Sequence, residues 1–452
     1  MDKHRIKCAV FIVVFFIFSI HGFAQRGIPP DTIPAFTLDQ CIAYAMQHQP
    51  ALKQSLINID ITKASNAVNV SGWFPQVNVS AVGTHYLTLP TSFVKNSGGA
   101  LVEQKTGVVN TVVPVFSVSQ AIFSPSLLLA SKSVRLYNQQ AAEAVDSTKI
   151  NLVANVSKTF YNLLLTLEQI KVLKEDTERL VKNLNDTYHQ YVSGLVDETD
   201  YDEAAISLNN SKAQLKQANE NIIPQYALLK QVMGFPPPQQ FNVSFDTLQM
   251  MNDIYFDTTL QLEYQKRIEF QQLRTSKEIQ EEFVHYYKTA WLPTLSGFFY
   301  YDYPYQNNTF NDLFSSAYPY SYVGLSFTIP IFTGLARTQN LRRARLQEEL
   351  LNWDEVALES EIYSEYTTAM ANYKGNLYNM KVMKDNEDLA RRTYDIVYLQ
   401  YQEGVVAYLN VITAESNLIS SEIGYINALF QVLSSKIDLE KSMGIIVVNK
   451  NN

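Results

Sequence analysis

The residue types that catalyse reactions or hold metals occur in this sequence, but their spacing argues against both kinds of chemistry. The histidines after residue 24 lie far apart and form no H-x-x-x-H pair. They are His48, His85, His189 and His285. The sequence contains neither a phosphate-binding G-x-x-x-x-G-K-[ST] loop nor a G-x-S-x-G nucleophile turn. We therefore expect no enzymatic activity, no metal site and no cofactor.

A dense group of acids follows a glycine-containing turn. It comprises Asp197, Glu198, Asp200, Asp202 and Glu203. Acids at the start of a helix bind free backbone N–H groups and interact favourably with the helix dipole. Helix capping is therefore the simplest role for Asp197 and Asp200.

The first residues predict export. A basic start at Lys3, Arg5 and Lys7 precedes an apolar stretch at residues 9–20 and a small-residue cleavage site that ends at Ala24. The apolar stretch is shorter than the roughly 20 residues of a membrane-spanning helix. Cleavage after Ala24 removes three basic residues and one acidic residue, so the formal net charge moves from -8 to -10. Such a chain has no basic surface for nucleic acid.

Only Cys41 remains after this cleavage, and one cysteine cannot form an internal disulfide. Because no cysteine follows the cleavage site, we expect no lipid anchor. Cys41 lies on the first predicted helix, where a buried apolar role is favoured over a reactive one.

Internal similarity organises the whole chain. Residues 188–234 align without gaps to residues 398–444, at a constant shift of 210 positions. The repeated motifs are Tyr-x-Gln-Tyr-x-x-Gly at 188–194 and 398–404, Met-Gly at 233–234 and 443–444, and Trp-x-Pro at 73–75 and 291–293. The predicted segments are a signal peptide (1–24), a first repeat (25–234), a proline-containing linker (235–263), a second repeat (264–444) and a short tail (445–452).

Two hydrophobic periodicities alternate within each repeat. Residues 126–192 contain no proline and have apolar side chains three to four residues apart, which predicts a helix about 100 Å long. Residues 336–401 have the same character. Four segments instead alternate with period two and predict strands, at about 74–88, 110–123, 293–304 and 320–332.

Four strands cannot close a barrel by themselves. Each predicted strand has the roughly 9–11 residues of a tilted transmembrane strand. Unpaired strand edges are costly in lipid, so further subunits must supply the missing pairs. Tyrosines near the strand ends predict an aromatic girdle at the membrane interface, although an aromatic soluble core has a similar composition: Tyr300, Tyr301, Tyr303, Tyr318, Tyr320 and Tyr322.

This order of duplicated motifs resembles the TolC family of outer-membrane efflux proteins, over roughly residues 37–444. The resemblance implies an α+β membrane protein that forms a homotrimer. Twelve strands form a β-barrel in the outer membrane of a Gram-negative bacterium, and long helical hairpins form an α-barrel that extends into the periplasm. It also implies an exit conduit for small molecules or polypeptides, with a periplasmic adaptor protein and an inner-membrane pump of the RND or ABC type as partners.

In that family the glycine-containing helical tips contact the adaptor. The resemblance implies this role for Gly194, Leu195, Val196, Gly404, Val405 and Val406. A glycine after a helix is also an ordinary C-cap, so both interpretations stay open.

Family members that resemble the prototype narrow their periplasmic aperture with aspartates after the second tip. The matching residues here are Asn410 and Thr413, so this sequence departs from the pattern. The internal shift relates them to Asp200 and Glu203. The first-repeat acids, Asp197, Asp200, Asp202 and Glu203, are therefore candidates for a cation-attracting constriction as well as for capping.

The alternative function is a structural or adhesive coiled-coil protein of the cell envelope. Such a protein should have sustained heptads without strand pairs, whereas this sequence interrupts its helices with strands at two equivalent places. Within the conduit class, drug, metal and polypeptide export all fit a lumen that accepts what the pump delivers.

Overall fold

The computed structural model describes residues 34–245, 250 and 253–446. The predicted signal segment, residues 1–24, lies outside the described residues, and so do residues 447–452 of the predicted tail. Within the described ranges, no helix combines the length and the apolar character that crossing a membrane requires.

The first half of the chain begins with short elements and ends in a long helical hairpin. Thr37 starts the first helix with a capping box, because its N–H donates to Gln40 Oε1 at 2.9 Å and its hydroxyl accepts from the Gln40 N–H at 3.4 Å. The elements are β1 (Ala35–Phe36), α1 (Leu38–His48), α2 (Pro50–Val70), β2 (Gln76–His85), β3 (Thr91–Lys95), β4 (Leu101–Lys105), β5 (Asn110–Phe123), α3 (Pro125–Val192) and α4 (Glu198–Met233).

The second half follows a similar order, and among its described elements one α-helix and three strands come between the short first strand and the long hairpin. Its elements are β6 (Asn242–Val243), α5 (Ile268–Thr289), β7 (Thr294–Asp302), β8 (Tyr305–Asn307), β9 (Tyr320–Thr328), α6 (Ala336–Gln402) and α7 (Tyr408–Ser442). Helices α3 and α6 have 68 and 67 residues, so each is about 100 Å long. Each packs against the helix that follows it, which gives two long hairpins of matching length.

One antiparallel sheet joins the two halves, with the strand order β2-β5-β7-β9. Strand β8 pairs with the start of β5 at residues 110–112. The loop between β2 and β5 contains a separate hairpin of β3 and β4. Sequence patterns did not indicate this hairpin because each of its strands has only five residues.

The main hydrophobic core lies where both long hairpins meet the linker. Leu163, Val432 and Leu439 are fully buried or nearly so, and the linker adds Phe235 and Phe241 to the same core. Strand β6 in the linker pairs in parallel with β1. The linker is therefore a packed part of the fold as well as a connector.

Two glycines determine how closely each hairpin approaches the start of its own half. Gly234 and Gly444 both have a φ of +69°. A Cβ atom on Gly234 would lie 2.7 Å from the His48 carbonyl oxygen, and one on Gly444 would lie 2.9 Å from the Lys266 carbonyl oxygen. Any side chain would force these segments apart, which explains why both repeats end in Met-Gly.

Candidate functional site at the helical tips and the strand edges

The two helical tips have the same backbone structure. Gly194 and Gly404 have φ values of +73° and +72°. The Leu195 N–H donates to the Gln190 carbonyl at 2.9 Å, and Val405 makes the equivalent bond at 2.8 Å. This hydrogen bond spans six residues and is characteristic of the Schellman motif, which satisfies free carbonyl groups at a helix end. The C-cap role of both glycines is therefore confirmed.

The two tips lie side by side around a cleft of about 650 Å³. Every predicted tip residue lines it, together with two of the acids: Gly194, Leu195, Val196, Gly404, Val405, Val406, Asp197 and Asp200. Leu195 and Val405 are 76% and 70% exposed. Asn410 and Thr413 are exposed on α7 but do not line the cleft. The tips thus present apolar side chains to solvent beside three carboxylates, those of Asp197, Asp200 and Glu403.

The four-stranded sheet has one apolar face and one mainly polar face. The apolar face carries Val77, Val79, Phe116, Val118, Phe299, Val323, Leu325 and Phe327. The opposite face carries Gln76, Asn78, Ser80, Ser117, Ser119, Ser296 and Ser326. Val323 is 81% exposed and Leu325 is 70% exposed in the single chain. Such an exposed apolar surface is typical of the lipid-facing side of a transmembrane strand.

Two strands of this sheet have an unpaired edge. Among the described strands, β2 pairs only with β5, and β9 pairs only with β7. All neighbours are antiparallel, so the first and the fourth strand run in opposite directions. Strand β2 of one copy can therefore pair with β9 of another copy in the same antiparallel pattern.

The comparisons with known proteins agree with this architecture. A family described as outer membrane efflux protein matches residues 42–235 and 260–445, one match for each half of the chain. The chain belongs to the outer membrane efflux protein family. The resemblance to the TolC family is thereby confirmed.

Individual relatives of this chain are distant in sequence. Outer membrane protein TolC of Escherichia coli (strain K12) is 18% identical over 303 residues, which cover 65% of this chain and 61% of TolC. The match therefore spans less than two thirds of that relative's length.

Solved structures show the same fold despite low identity. CusC, at 15% identity, has a TM-score of 0.74 over 91% of this chain and 92% of its own. The CmeC outer membrane channel of Campylobacter jejuni, at 18% identity, has a TM-score of 0.71 over 92% of this chain and 87% of its own. The predicted fold class, an α+β membrane protein with long helical hairpins and four strands per protomer, is confirmed.

The acids near the first tip occupy two different settings. Asp197 is at the N-cap position of α4, but its side chain makes no capping hydrogen bond. Glu198 and Asp200 lie in the first turn, where the positive end of the helix dipole favours them. Partial burial, and then the charge of Asp197, raises the pKa of the Asp200 carboxyl. Asp202 and Glu203 do not line the cleft.

The sheet register divides the tyrosines that were predicted to form a membrane-interface girdle. Three belong to the polar face: Tyr300, Tyr320 and Tyr322. Tyr301 belongs to the apolar face, as the girdle requires. Tyr303 and Tyr318 lie just beyond the strand ends, and the Tyr303 ring centroid is 6.1 Å from that of Tyr301.

Sequence patterns missed a buried charge cluster between the two hairpins. Arg179 on α3 lies 3.4 Å from Asp176, 3.8 Å from Glu415 and 3.7 Å from Glu422. Asn183 Nδ2 also donates to Glu415 at 3.3 Å. Burial, and then the charge of Asp176, raises the pKa of the Glu415 carboxyl to about 7. This cluster joins α3 to α7 by charge rather than by apolar packing.

One sequence signal points to this cluster. Glu415 follows the buried, mostly apolar positions Val411 and Ala414 and precedes Leu418, so it lies on the core-facing stripe of α7. Two tyrosine hydroxyls join the hairpins closer to the tips. Tyr398 donates to Asp186 at 3.2 Å, and Tyr401 donates to Gln190.

Of the residues considered for thiol or metal chemistry, His189 lies in the last turn of α3 beside the first tip, and Cys41 lies on α1. Cys41 is fully buried, as predicted, and burial raises the pKa of its thiol to about 12. Across the part of the chain that the structure describes, no group of three or more His, Cys, Asp or Glu side chains is arranged to hold a metal ion.

Proposed function

We propose that three copies of this chain form an outer-membrane channel, the exit conduit of a tripartite efflux or type I secretion system. Their sheets join into a twelve-stranded barrel, and their long hairpins form an α-helical barrel that extends into the periplasm. The channel passively conducts small molecules or polypeptides from an inner-membrane pump of the RND or ABC type, which a periplasmic adaptor docks to the helical tips. Residues 1–24 act as a cleavable export signal.

The observation that carries this proposal is the open sheet with an exposed apolar face. Backbone groups on the outer edges of β2 and β9 lack partners within the described chain, which is costly in lipid. Pairing between copies removes that cost, and closed rings with an even number of antiparallel strands are the established solution. The strand pairs between the helices also count against the coiled-coil adhesin alternative.

The test of the channel begins with the particle extracted in mild detergent. We expect a complex of three chains that gives stepwise conductance in planar lipid bilayers. A water-soluble monomer without pore activity would rule out the proposal.

Two adjacent positions on β9 test which face of the sheet contacts lipid. Leu325→Lys places a charge on the apolar face, whereas Ser326→Lys places the same charge on the polar face. A lysine facing the bilayer midplane costs roughly 2–4 kcal/mol, but a lysine facing a lumen does not. We expect Leu325→Lys to reduce the yield of folded trimer strongly and Ser326→Lys to leave it nearly unchanged. Equal yields would argue against a membrane-embedded sheet.

The docking role of the tips rests on their exposed apolar side chains. A photo-crosslinking residue at Leu195 or Val405 should capture the adaptor in whole cells. The same residue at Ile223, which is 62% exposed on α4 far from the tip, is the matched control and should not. Val196→Glu should weaken both capture and export. Capture that is equal at Ile223, or intact export by Val196→Glu, would contradict tip docking.

The cleft acids are proposed to attract cations at the periplasmic entrance. A trimer places three copies of Asp197 and Asp200 around one axis, where their negative potentials add. The second-repeat positions Asn410 and Thr413 add no charge, whereas Glu403 of the second tip lines the same cleft and adds one carboxylate.

A further inference from the structure

The polar face of the sheet carries a row of aromatic rings on β7 and β9. Tyr300 and Tyr322 are cross-strand partners whose ring centroids are 5.2 Å apart and whose planes differ by 17°. The Tyr320 ring follows at 6.4 Å from Tyr322, with planes 15° apart. Three nearly parallel rings thus form what we call the tyrosine row: Tyr300, Tyr322 and Tyr320.

Neighbouring residues hold the tyrosine row in place. Asp302 is the cross-strand partner of Tyr320, is only 6% exposed and lies beside the Tyr320 hydroxyl. The Phe298 ring covers Gly324, since a Cβ atom there would lie 2.5 Å from that ring. It also contacts Tyr300 edge-to-face, with centroids 5.5 Å apart. Phe298 and Asp302 therefore flank the row on its own face, and its outer surface is open, with Tyr320 and Tyr322 54% and 47% exposed.

The register determines the direction in which the tyrosine row points, provided that the proposed channel is correct. Val323 and Phe299 lie on the opposite face from Tyr322 and Tyr300. In a lipid-embedded barrel the apolar face must point outward, so the row must point into the lumen. It lies where β7 ends and β9 begins, which is the end of the barrel remote from the long helices.

We propose that the tyrosine row is a binding station in the lumen for organic cations, such as quaternary ammonium ions. The faces of aromatic rings carry negative potential and attract cations within about 6 Å, most strongly those that are weakly hydrated. A trimer presents three such rows at one depth, separated by the serine-rich and amide-rich sectors of β2 and β5. This station slows and orders cationic cargo near the exit, and it deepens the proposed function without depending on the adaptor.

Block of the reconstituted trimer by tetrabutylammonium tests the proposal. The ion is added while potassium chloride current through single channels is recorded. The double variant Tyr300→Leu with Tyr322→Leu should bind the blocker about tenfold more weakly, which corresponds to about 1.4 kcal/mol. The variant Tyr300→Phe with Tyr322→Phe keeps the rings and should retain the block within about twofold, since the ring face rather than the hydroxyl attracts the cation.

Tyr301→Leu is the matched control, because Tyr301 adjoins Tyr300 but belongs to the apolar face. It should leave the block unchanged. Unchanged block in the double leucine variant, or an equal loss in Tyr301→Leu, would overturn the binding station while leaving the channel intact. Absence of any pore in the unaltered protein would instead overturn the proposed function, and the station with it.

Thiol labelling provides a second readout if the leucine variants fail to assemble. Tyr322→Cys should react with a trimethylammonium-bearing methanethiosulfonate from the aqueous pore and lower the conductance. Tetrabutylammonium should slow that reaction. Val323→Cys, on the apolar face, should not react, and the fully buried Cys41 contributes little background. Reaction at position 323 but not at position 322 would reverse the assigned faces and overturn the proposal.

Discussion

The two repeats share one backbone but distribute their acids differently. Both tips end in glycines with nearly equal φ values, and both long helices have nearly equal lengths. Near the tip, however, Asp200 and Glu203 of the first repeat correspond to the neutral Asn410 and Thr413 of the second. Backbone geometry is thus kept in both copies, whereas the acids at these two matched positions occur only in the first.

Farther from the tips, the acids lie in the second repeat and the matching positions of the first repeat have none. Glu415 and Glu422 of the second repeat are buried beside Arg179, and the internal shift relates them to Ala205 and Lys212 of the first. A buried carboxyl is costly unless charges or hydrogen bonds compensate it, so both acids depend on Arg179 of α3, and Glu422 depends also on Arg391 of α6, which donates to it at 2.6 Å. The fold therefore requires the glycines in both copies. Each acid, in contrast, depends on the residues that surround it in its own repeat.

The largest effect should come from removing the shared cation of the buried cluster. Arg179→Met at pH 8 removes the cation that lies beside Asp176 and Glu415 and leaves Glu422 with Arg391, and we expect a loss of about 3 kcal/mol in unfolding free energy. The loss should shrink at pH 5, where the acids can take up protons. Arg274→Met, whose side chain is 78% exposed in its ion pair with Glu278, is the control and should cost less than about 1 kcal/mol. The melting temperature of each variant is measured by circular dichroism. If Arg179→Met and Arg274→Met lower it equally, the cluster is not stabilising.

An intermediate effect is expected from the raised pKa of Glu415. Its folded pKa of about 7 lies above the ordinary 4.5, so the folded state loses stability as the pH rises from about 4.5 to about 7. Glu415→Gln removes this loss and should stabilise the protein at pH 8 by on the order of 2 kcal/mol. Its stability should also vary less with pH over that window. Glu220→Gln, with an exposed side chain, should not change the profile. A destabilised Glu415→Gln at pH 8 would show that the ionised carboxylate is needed.

The smallest effect on stability, but a direct effect on conduction, is expected at the first tip. Asp197→Asn with Asp200→Asn should lower the ratio of potassium to chloride permeability a few-fold, because nearby charges in water interact by about 1 kcal/mol. Asp202→Asn with Glu203→Gln also removes two negative charges, but these residues do not line the cleft, so the ratio should change less. An unchanged ratio in the first variant would leave only the helix-dipole role for these acids.

Much of the fold was predictable because its signals are local and long. Residues 126–192 predicted α3, which spans Pro125–Val192, since a regular apolar spacing over nineteen turns leaves little ambiguity. The short pairs β1–β6 and β3–β4 were not predicted, because strands of two to five residues have no recognisable period.

Only part of the candidate site was predicted, again because only local signals can be read from the sequence. The tip glycines were found because a left-handed residue after a helix has a strong preference for glycine. The division of four tyrosines between the two sheet faces, Tyr300, Tyr320 and Tyr322 on one and Tyr301 on the other, was not found, because a shift of one residue in register moves every side chain to the opposite face.

The amino-acid order alone established the duplication, the fold class and the glycine turns, because each depends on neighbouring residues or on similarity within the chain. Folding in three dimensions was needed to bring Arg179 to Glu415, to assign Tyr300 and Tyr301 to opposite faces, and to leave the outer edges of β2 and β9 free. These features depend on pairing between segments distant in the chain, and no local preference specifies such pairing.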